Sequence, residues 1–238
     1  RWLKLNPFRR TLQKLSSKVT TIGVSELSAE MYVKLGWDPA HTVGIPNGID
    51  AKRFEKLPQH TESATDKTFH IGTVVRLSPE KGVDLLIEAV KDVPNCKLTI
   101  IGVGKMKDEL DGMIKRYKLE DRVTIESYWS DIGKFYQFLD LFVLPSRKHD
   151  PFGMVAAEAM TLGVPTVVTD ACGIARAIES GTDGIVCKAN SAESLQKAIA
   201  DMVNDRDTCA ALGQAGKKKA QEEFTMKHML DRYEALLK

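Results

Sequence analysis

Histidine and cysteine are scarce in this chain, net charge is nearly absent, and no apolar run is long enough to cross a membrane. Each absence removes a class of function. The 238 residues include five histidines and four cysteines (Cys96, Cys172, Cys187, Cys209), with no C-x-x-C pair and no grouping at zinc-ligand spacing. The cysteine usage predicts a reduced, cytoplasmic setting and no metal. Lys and Arg number 34 against 32 Asp and Glu, a net charge of +2, so there is no general case for nucleic acid or an anionic membrane as partner. The N-terminal stretch "RWLKLNPFRRTLQKL" has no signal-peptide core. The chain begins with Arg rather than Met, and we read it as a piece of a longer protein, with any peripheral membrane contact made elsewhere in that protein.

What is present is an alternation. Short β-branched runs, "VTTIGV", "FHIGTVV", "KLTIIG", "RVTIES", "LFVLP" and "VPTVVTD", are separated by helical periodicities at 26–35, 83–91, 106–118, 131–138, 153–162 and 191–204. Runs apolar throughout predict strands buried on both faces, and the alternation predicts parallel crossovers. The expected fold is α/β, a doubly wound open parallel sheet of Rossmann-like type. The polar stretch 53–68 reads as a linker or exposed loop. From Ser191 onward the pattern is helical, with Asn190 or Ser191 as N-cap and Gly213 and Gly216 as breaks.

Ligands of such sheets bind at the carboxyl ends of the strands. In "RLSPEKG" (76–82), Arg76 follows a strand and Lys81 precedes a helix, a pair of cations suited to a diphosphate. The alternative is that both are solvated loop charges. In "PSRKHDPFGMVAAEAMTLGVP" (145–165), a helix opening near Phe152 or Gly153 offers the backbone N–H groups of Gly153, Met154 and Val155 to phosphate. Glu158, set among alanines and methionine, needs a partner, either a vicinal diol such as a nucleotide ribose or an internal ion pair with Arg76 or Lys81. Asp150 precedes this helix, and a simple capping role is its alternative. His149 is an acid–base candidate or ordinary polar surface. "IIGVGK" lacks the third glycine of a dinucleotide fingerprint, so the Gly102–Gly104 turn lets backbone approach a ligand or merely turns the chain. "DRD" at 205–207 imitates a metal-binding carboxylate pair but reads better as helix-start charges.

Taken together, these stretches resemble the C-terminal half of a retaining glycosyltransferase of the GT-B fold, family 4. That family's signature is two glutamates separated by seven residues, then A-M and G-x-P. Here Asp150, seven residues and "EAMTLGVP" stand in those places. "VSELS", "IPNGID" with "RF", "GTVVRLSPEKGVDLLIEAV", "DLFVLPS" and "GTDGIVC" extend the match along nearly the whole chain. The resemblance implies that Arg76 and Lys81 hold the diphosphate of a UDP- or GDP-sugar. It implies that Gly104, Phe152, Gly153, Met154 and Val155 line the donor site, that Glu158 takes the ribose hydroxyls and that Asp150 faces the donor sugar. Tyr128 and Trp129 would frame the base. No cofactor or metal is implied, because cations and a helix N-terminus supply the electrostatics.

The implied organisation is a leading helix over 1–18, a nucleotide-sugar domain over 19–190 and C-terminal helices over 191–238. The last helix would pack toward an N-terminal acceptor domain outside this chain, where a sugar, lipid-linked or other acceptor would bind. Two departures stand out. Asp150 replaces the first glutamate, and Arg176 stands where a G-G-x-x-E pattern has its carboxylate. A catalytically degenerate binding module and a sugar-nucleotide epimerase relative are the alternatives.

Overall fold

The structure is a computed structural model, and it describes residues 9–54 and 68–238. Residues 1–8 of the expected leading helix and 55–67 of the expected linker lie outside the described residues. The chain opens with α1 (Arg9–Ser16), β1 (Thr21–Gly23), α2 (Glu26–Leu35) and β2 (Thr42–Gly44). It continues through β3 (Phe69–Val74), α3 (Val83–Lys91), β4 (Cys96–Ile101), α4 (Lys107–Arg116), β5 (Val123–Glu126), α5 (Ile132–Phe138), β6 (Leu141–Leu144), α6 (Met154–Thr161) and β7 (Thr166–Thr169). β8 (Ile185–Cys187), α7 (Ala192–Asn204), α8 (Arg206–Glu223) and α9 (Met226–Leu237) complete it.

The main sheet is six parallel strands in the order β5-β4-β3-β6-β7-β8, and β1 and β2 form a separate parallel pair. Every residue of β6 and of β7 is buried, as apolar central strands covered on both faces must be. The edge strand β5 buries Val123 and exposes Thr124 and Glu126. Helices cover the faces with stripes of apolar residues. In α3, Val83, Leu86, Ile87 and Val90 recur at helical spacing and are buried.

The expected sheet and its six helices are present. The sequence reading passed over β2 and β8 as strands, each of three residues and too short to show a period. Ser191, not Asn190, caps α7 by accepting from the Ser194 N–H. Gly213 and Gly216, expected from the sequence to break the tail, do not break it. Both are buried inside a continuous α8, because the helix passes too close to the turns before β7 and β8 for a side chain. A Cβ on Gly213 would lie 2.4 Å from the Gly163 carbonyl oxygen. Asp205 caps α8 by accepting from the Thr208 N–H, as the helix-start reading of 205–207 anticipated.

The strand order β5-β4-β3-β6-β7-β8 creates a switch point in the sheet. β3 pairs with β4 on one side and β6 on the other, so the chain winds outward in both directions from the β3–β6 boundary. Loops leaving the carboxyl ends of these two strands diverge and leave a crevice between them.

Candidate functional site

That crevice is a cleft of about 380 Å³, lined by Arg76 and Lys81 from the loop after β3 and by Asp150, Phe152, Gly153, Met154 and Val155 from the loop after β6. Asn47 reaches it from the segment after β2. The Arg76 side chain is three-quarters exposed, with a guanidinium nitrogen 3.7 Å from Glu80. Lys81 closes a short 3₁₀ turn, Pro79–Lys81, and its ammonium donates to Asp150 Oδ2 at 2.5 Å. Ser146 Oγ donates to the same oxygen at 3.2 Å. The Arg147 guanidinium donates to Asp84, and the Arg147 N–H donates to the Glu80 carbonyl at 2.8 Å, so the two cleft loops are fastened to each other.

Asp150 does not cap α6, which was its alternative reading. Its backbone pairs with Cys172 as an isolated parallel bridge, its N–H donating to Ala171 O and its carbonyl accepting from Gly173 N–H, both at 2.9 Å. That pairing turns its side chain to Lys81. The N-cap of α6 is Gly153, whose φ of +102° an L side chain resists. Hydrogen bonding within the helix begins with Ala156 N–H to Gly153 O at 3.0 Å. The N–H groups of Gly153, Met154 and Val155 therefore precede it, at the positive end of the helix.

The cleft loop is also gripped from α2. The Pro151 carbonyl accepts from Ser25 Oγ at 2.6 Å and from Ser28 Oγ at 3.0 Å, both serines being buried. His149 Nε2 stands 3.4 Å from Ser28 Oγ, so this histidine meets the same serine. Arg176 is paired as well. Its Nε and Nη2 donate to the two carboxylate oxygens of Glu30 on α2, at 2.9 and 3.0 Å. The cation that departs from the G-G-x-x-E pattern thus has a carboxylate opposite it on the neighbouring helix.

Glu158 has partners that sequence reasoning did not name. Tyr136 Oη, from α5, donates to Oε2 at 2.9 Å, and Arg53 Nη1 donates to Oε1 at 3.1 Å. Neither Arg76 nor Lys81, the partners considered from sequence, is bonded to it. Burial, together with the negative charge of Glu158, holds the Tyr136 hydroxyl well above the ordinary tyrosine range, so it is a fixed donor. Arg53 lies in the "RF" that follows "IPNGID", and Asn47 lies within that motif, so a signal for both existed. Tyr136 gave none, since a tyrosine in an apolar helix reads as core.

Four expected site residues are not part of the cleft lining: Glu158, which lies behind it on α6, and Gly104, Tyr128 and Trp129, which stand apart from it. Gly104 sits against the Leu77 backbone, where a Cβ would be 2.3 Å from the carbonyl oxygen. It thereby lets the turn after β4 support the Arg76 loop. Tyr128 is 73% exposed, and Trp129 packs its ring 5.1 Å from that of Phe135. Phe152 lines the cleft but directs its ring edge-on to Phe224 in the core.

Similarity to known proteins agrees with this arrangement. Residues 54–219 match the family Glycosyl transferases group 1. Mannosylfructose-phosphate synthase of Agrobacterium fabrum is 33% identical over 204 residues, covering 78% of this chain and 45% of that protein. The GDP-mannose-dependent monoacylated alpha-(1-6)-phosphatidylinositol monomannoside mannosyltransferase of Corynebacterium glutamicum is 24% identical over 254 residues, covering 99% and 66%. The crystal structure of Anabaena HepE in complex with UDP superposes with a TM-score of 0.85 at 25% identity, covering 96% of this chain and 66% of that one. The chain spans about half the length of the first curated relatives it matches. With the match covering well over half of its residues, the Rossmann-like fold shared with GT-B glycosyltransferases and the cleft at the switch point, the chain belongs to the Glycosyl transferases group 1 family.

Proposed function

We propose that this chain is the donor-nucleotide-binding part of a retaining glycosyltransferase that moves a hexose-type sugar from a UDP- or GDP-sugar to an acceptor hydroxyl. The observation that carries the reading is the convergence of Arg76, Lys81 and the N-terminus of α6 on one cleft. Three sources of positive potential from two strand ends suit a diphosphate, and fixed dipoles and cations stabilise charge as it develops on a leaving nucleotide. In this reading they supply what a divalent ion supplies elsewhere, and no metal is called for. HepE was solved with UDP, and the corynebacterial relative is GDP-mannose-dependent, which keeps both bases in view.

Asp150 then faces the donor sugar. Its two bonds fall on Oδ2, and Oδ1 accepts from a sugar hydroxyl. Glu158 accepts from the ribose hydroxyls, and Tyr128, exposed outside the cleft, stacks beside a base that extends beyond it. The acceptor binds to an N-terminal domain of the longer protein, so this chain alone binds nucleotide and transfers little or no sugar. Calorimetric titration with UDP and GDP tests the reading. Arg76→Ala and Lys81→Ala each weaken binding about tenfold or more, whereas equal affinity in both variants contradicts it.

A further inference from the structure

We propose that Arg53 and Tyr136 are positioning residues that give the cleft a preference for a ribose diol, by fixing the Glu158 carboxylate within helix α6. The inference rests on the donor-nucleotide reading of the cleft. Neither residue lines that cleft, and Glu158 lies behind its lining, on the same helix as the lining residues Met154 and Val155, so Arg53 and Tyr136 act through the carboxylate that both bond.

The Glu158 side chain is 12% exposed, and its helical neighbours Ala156, Ala157, Ala159 and Met160 are fully buried. A carboxylate in such a place turns toward whatever donors reach it. The two that do come from opposite sides. Tyr136 is fully buried, its ring 5.6 Å from that of Phe142, and approaches from within the core. Arg53 is more than half exposed and approaches from the solvent side, its guanidinium lying over the Phe54 ring at 5.5 Å. Each takes one carboxylate oxygen.

A carboxylate offers about four acceptor sites. With one taken on each oxygen, one remains on each, the number that a vicinal pair of hydroxyls donates to. Removing either donor frees the carboxylate to rotate and misaligns this pair of acceptors. The phosphate-binding groups, one and a half turns away at the helix N-terminus, are untouched.

Calorimetry with UDP or GDP, whichever binds more tightly, and with its 2′,3′-dideoxy counterpart tests this on the chain as it is. Wild type favours the ribose form by about tenfold or more, as bonds to a charged acceptor warrant. In Tyr136→Phe and in Arg53→Met the preference falls to within about threefold of unity, while the dideoxy affinity is unchanged. Arg53→Lys restores the preference, because the contact uses a single guanidinium nitrogen that an ammonium can replace. A preference unchanged in both variants, or ribose and dideoxy forms weakened equally, overturns the inference. If Arg76→Ala still weakens both forms in that case, the donor reading stands without it. Failure of wild type to bind either form removes the donor reading and this inference together.

Discussion

The ammonium of Lys81 and the carboxylate of Asp150 meet at 2.5 Å, with side chains 19% and 10% exposed, across the cleft between the ends of β3 and β6. Two residues 69 positions apart thereby hold the two halves of the sheet together at the point where ligands enter. Removing one partner of such a pair strands the other's charge, whereas neutralising both relieves it. Lys81→Met is predicted to lower stability by about 2–3 kcal/mol, and Lys81→Met with Asp150→Asn to recover part of that loss. Chemical denaturation of the two variants beside wild type is the check, and equal stability in both would show that the pair carries no mutual dependence.

Arg176 and Glu30 form the second cross-link, between the 3₁₀ turn Gly173–Arg176 and α2. Bonding to Arg176 holds the Glu30 carboxyl below the usual range. A carboxyl with a depressed folded-state pKa adds stability above its unfolded pKa and loses it as pH falls through the folded value. Both side chains are about two-fifths exposed, so the effect is small, under about 1 kcal/mol. Arg176→Ala is expected to be slightly less stable at pH 7, with the difference from wild type closing in acid below about pH 4. Arg176→Glu, which restores the acidic residue of the wider pattern, sets two carboxylates face to face and is rescued by Glu30→Lys. Thermal melts at pH 7 and pH 3 read both effects.

The grip of Ser25 and Ser28 on the Pro151 carbonyl depends on a neighbouring residue with no side chain. A Cβ on Gly173 would lie 2.2 Å from the Pro151 oxygen and 2.4 Å from Ser25 Oγ. Gly173→Ala is predicted to destabilise by about 1–3 kcal/mol through overpacking and to weaken nucleotide binding by shifting the loop that carries Asp150. Ser25→Ala, which also removes the N-cap of α2, costs about 1 kcal/mol without a clash. Denaturation midpoints and nucleotide affinities, measured for both, should rank the glycine variant lower on each.

The main sheet was legible because its strands are apolar on both faces and its helices are not, a contrast that survives in the linear sequence. β1, α2 and the switch from strand to helix around Gly153 were legible for the same local reasons. The partners of Glu158 were not. Arg53 lies 105 residues away and Tyr136 lies 22 away on another helix, and only the fold brings them to the carboxylate. Lys81 and Asp150 were each singled out as facing the ligand, yet their bond to each other depends on how two loops from different strands converge. Gly213 and Gly216 misled for the converse reason. Glycine in a polar tail reads as a break until the surface it touches is known.

The four cysteines are free and buried, and burial pushes the thiols of Cys96, Cys172 and Cys187 up, Cys187 to about 11. The thiolate is the reactive form, so folded protein at pH 8 is predicted to react slowly with a disulfide-exchange reagent. All four thiols titrate once the chain is unfolded. Rapid release of one or more equivalents from native protein would show an exposed or activated cysteine.

The crystal structure of this chain soaked with UDP or GDP bears most directly on the assignment of the cleft. The predicted result places the diphosphate between Arg76, Lys81 and the N–H groups of Gly153 to Val155, with the ribose hydroxyls on Glu158. A nucleotide seated instead in the cavity at the opposite end of the strands, beside Phe69, Asp140 and Arg206, would contradict it.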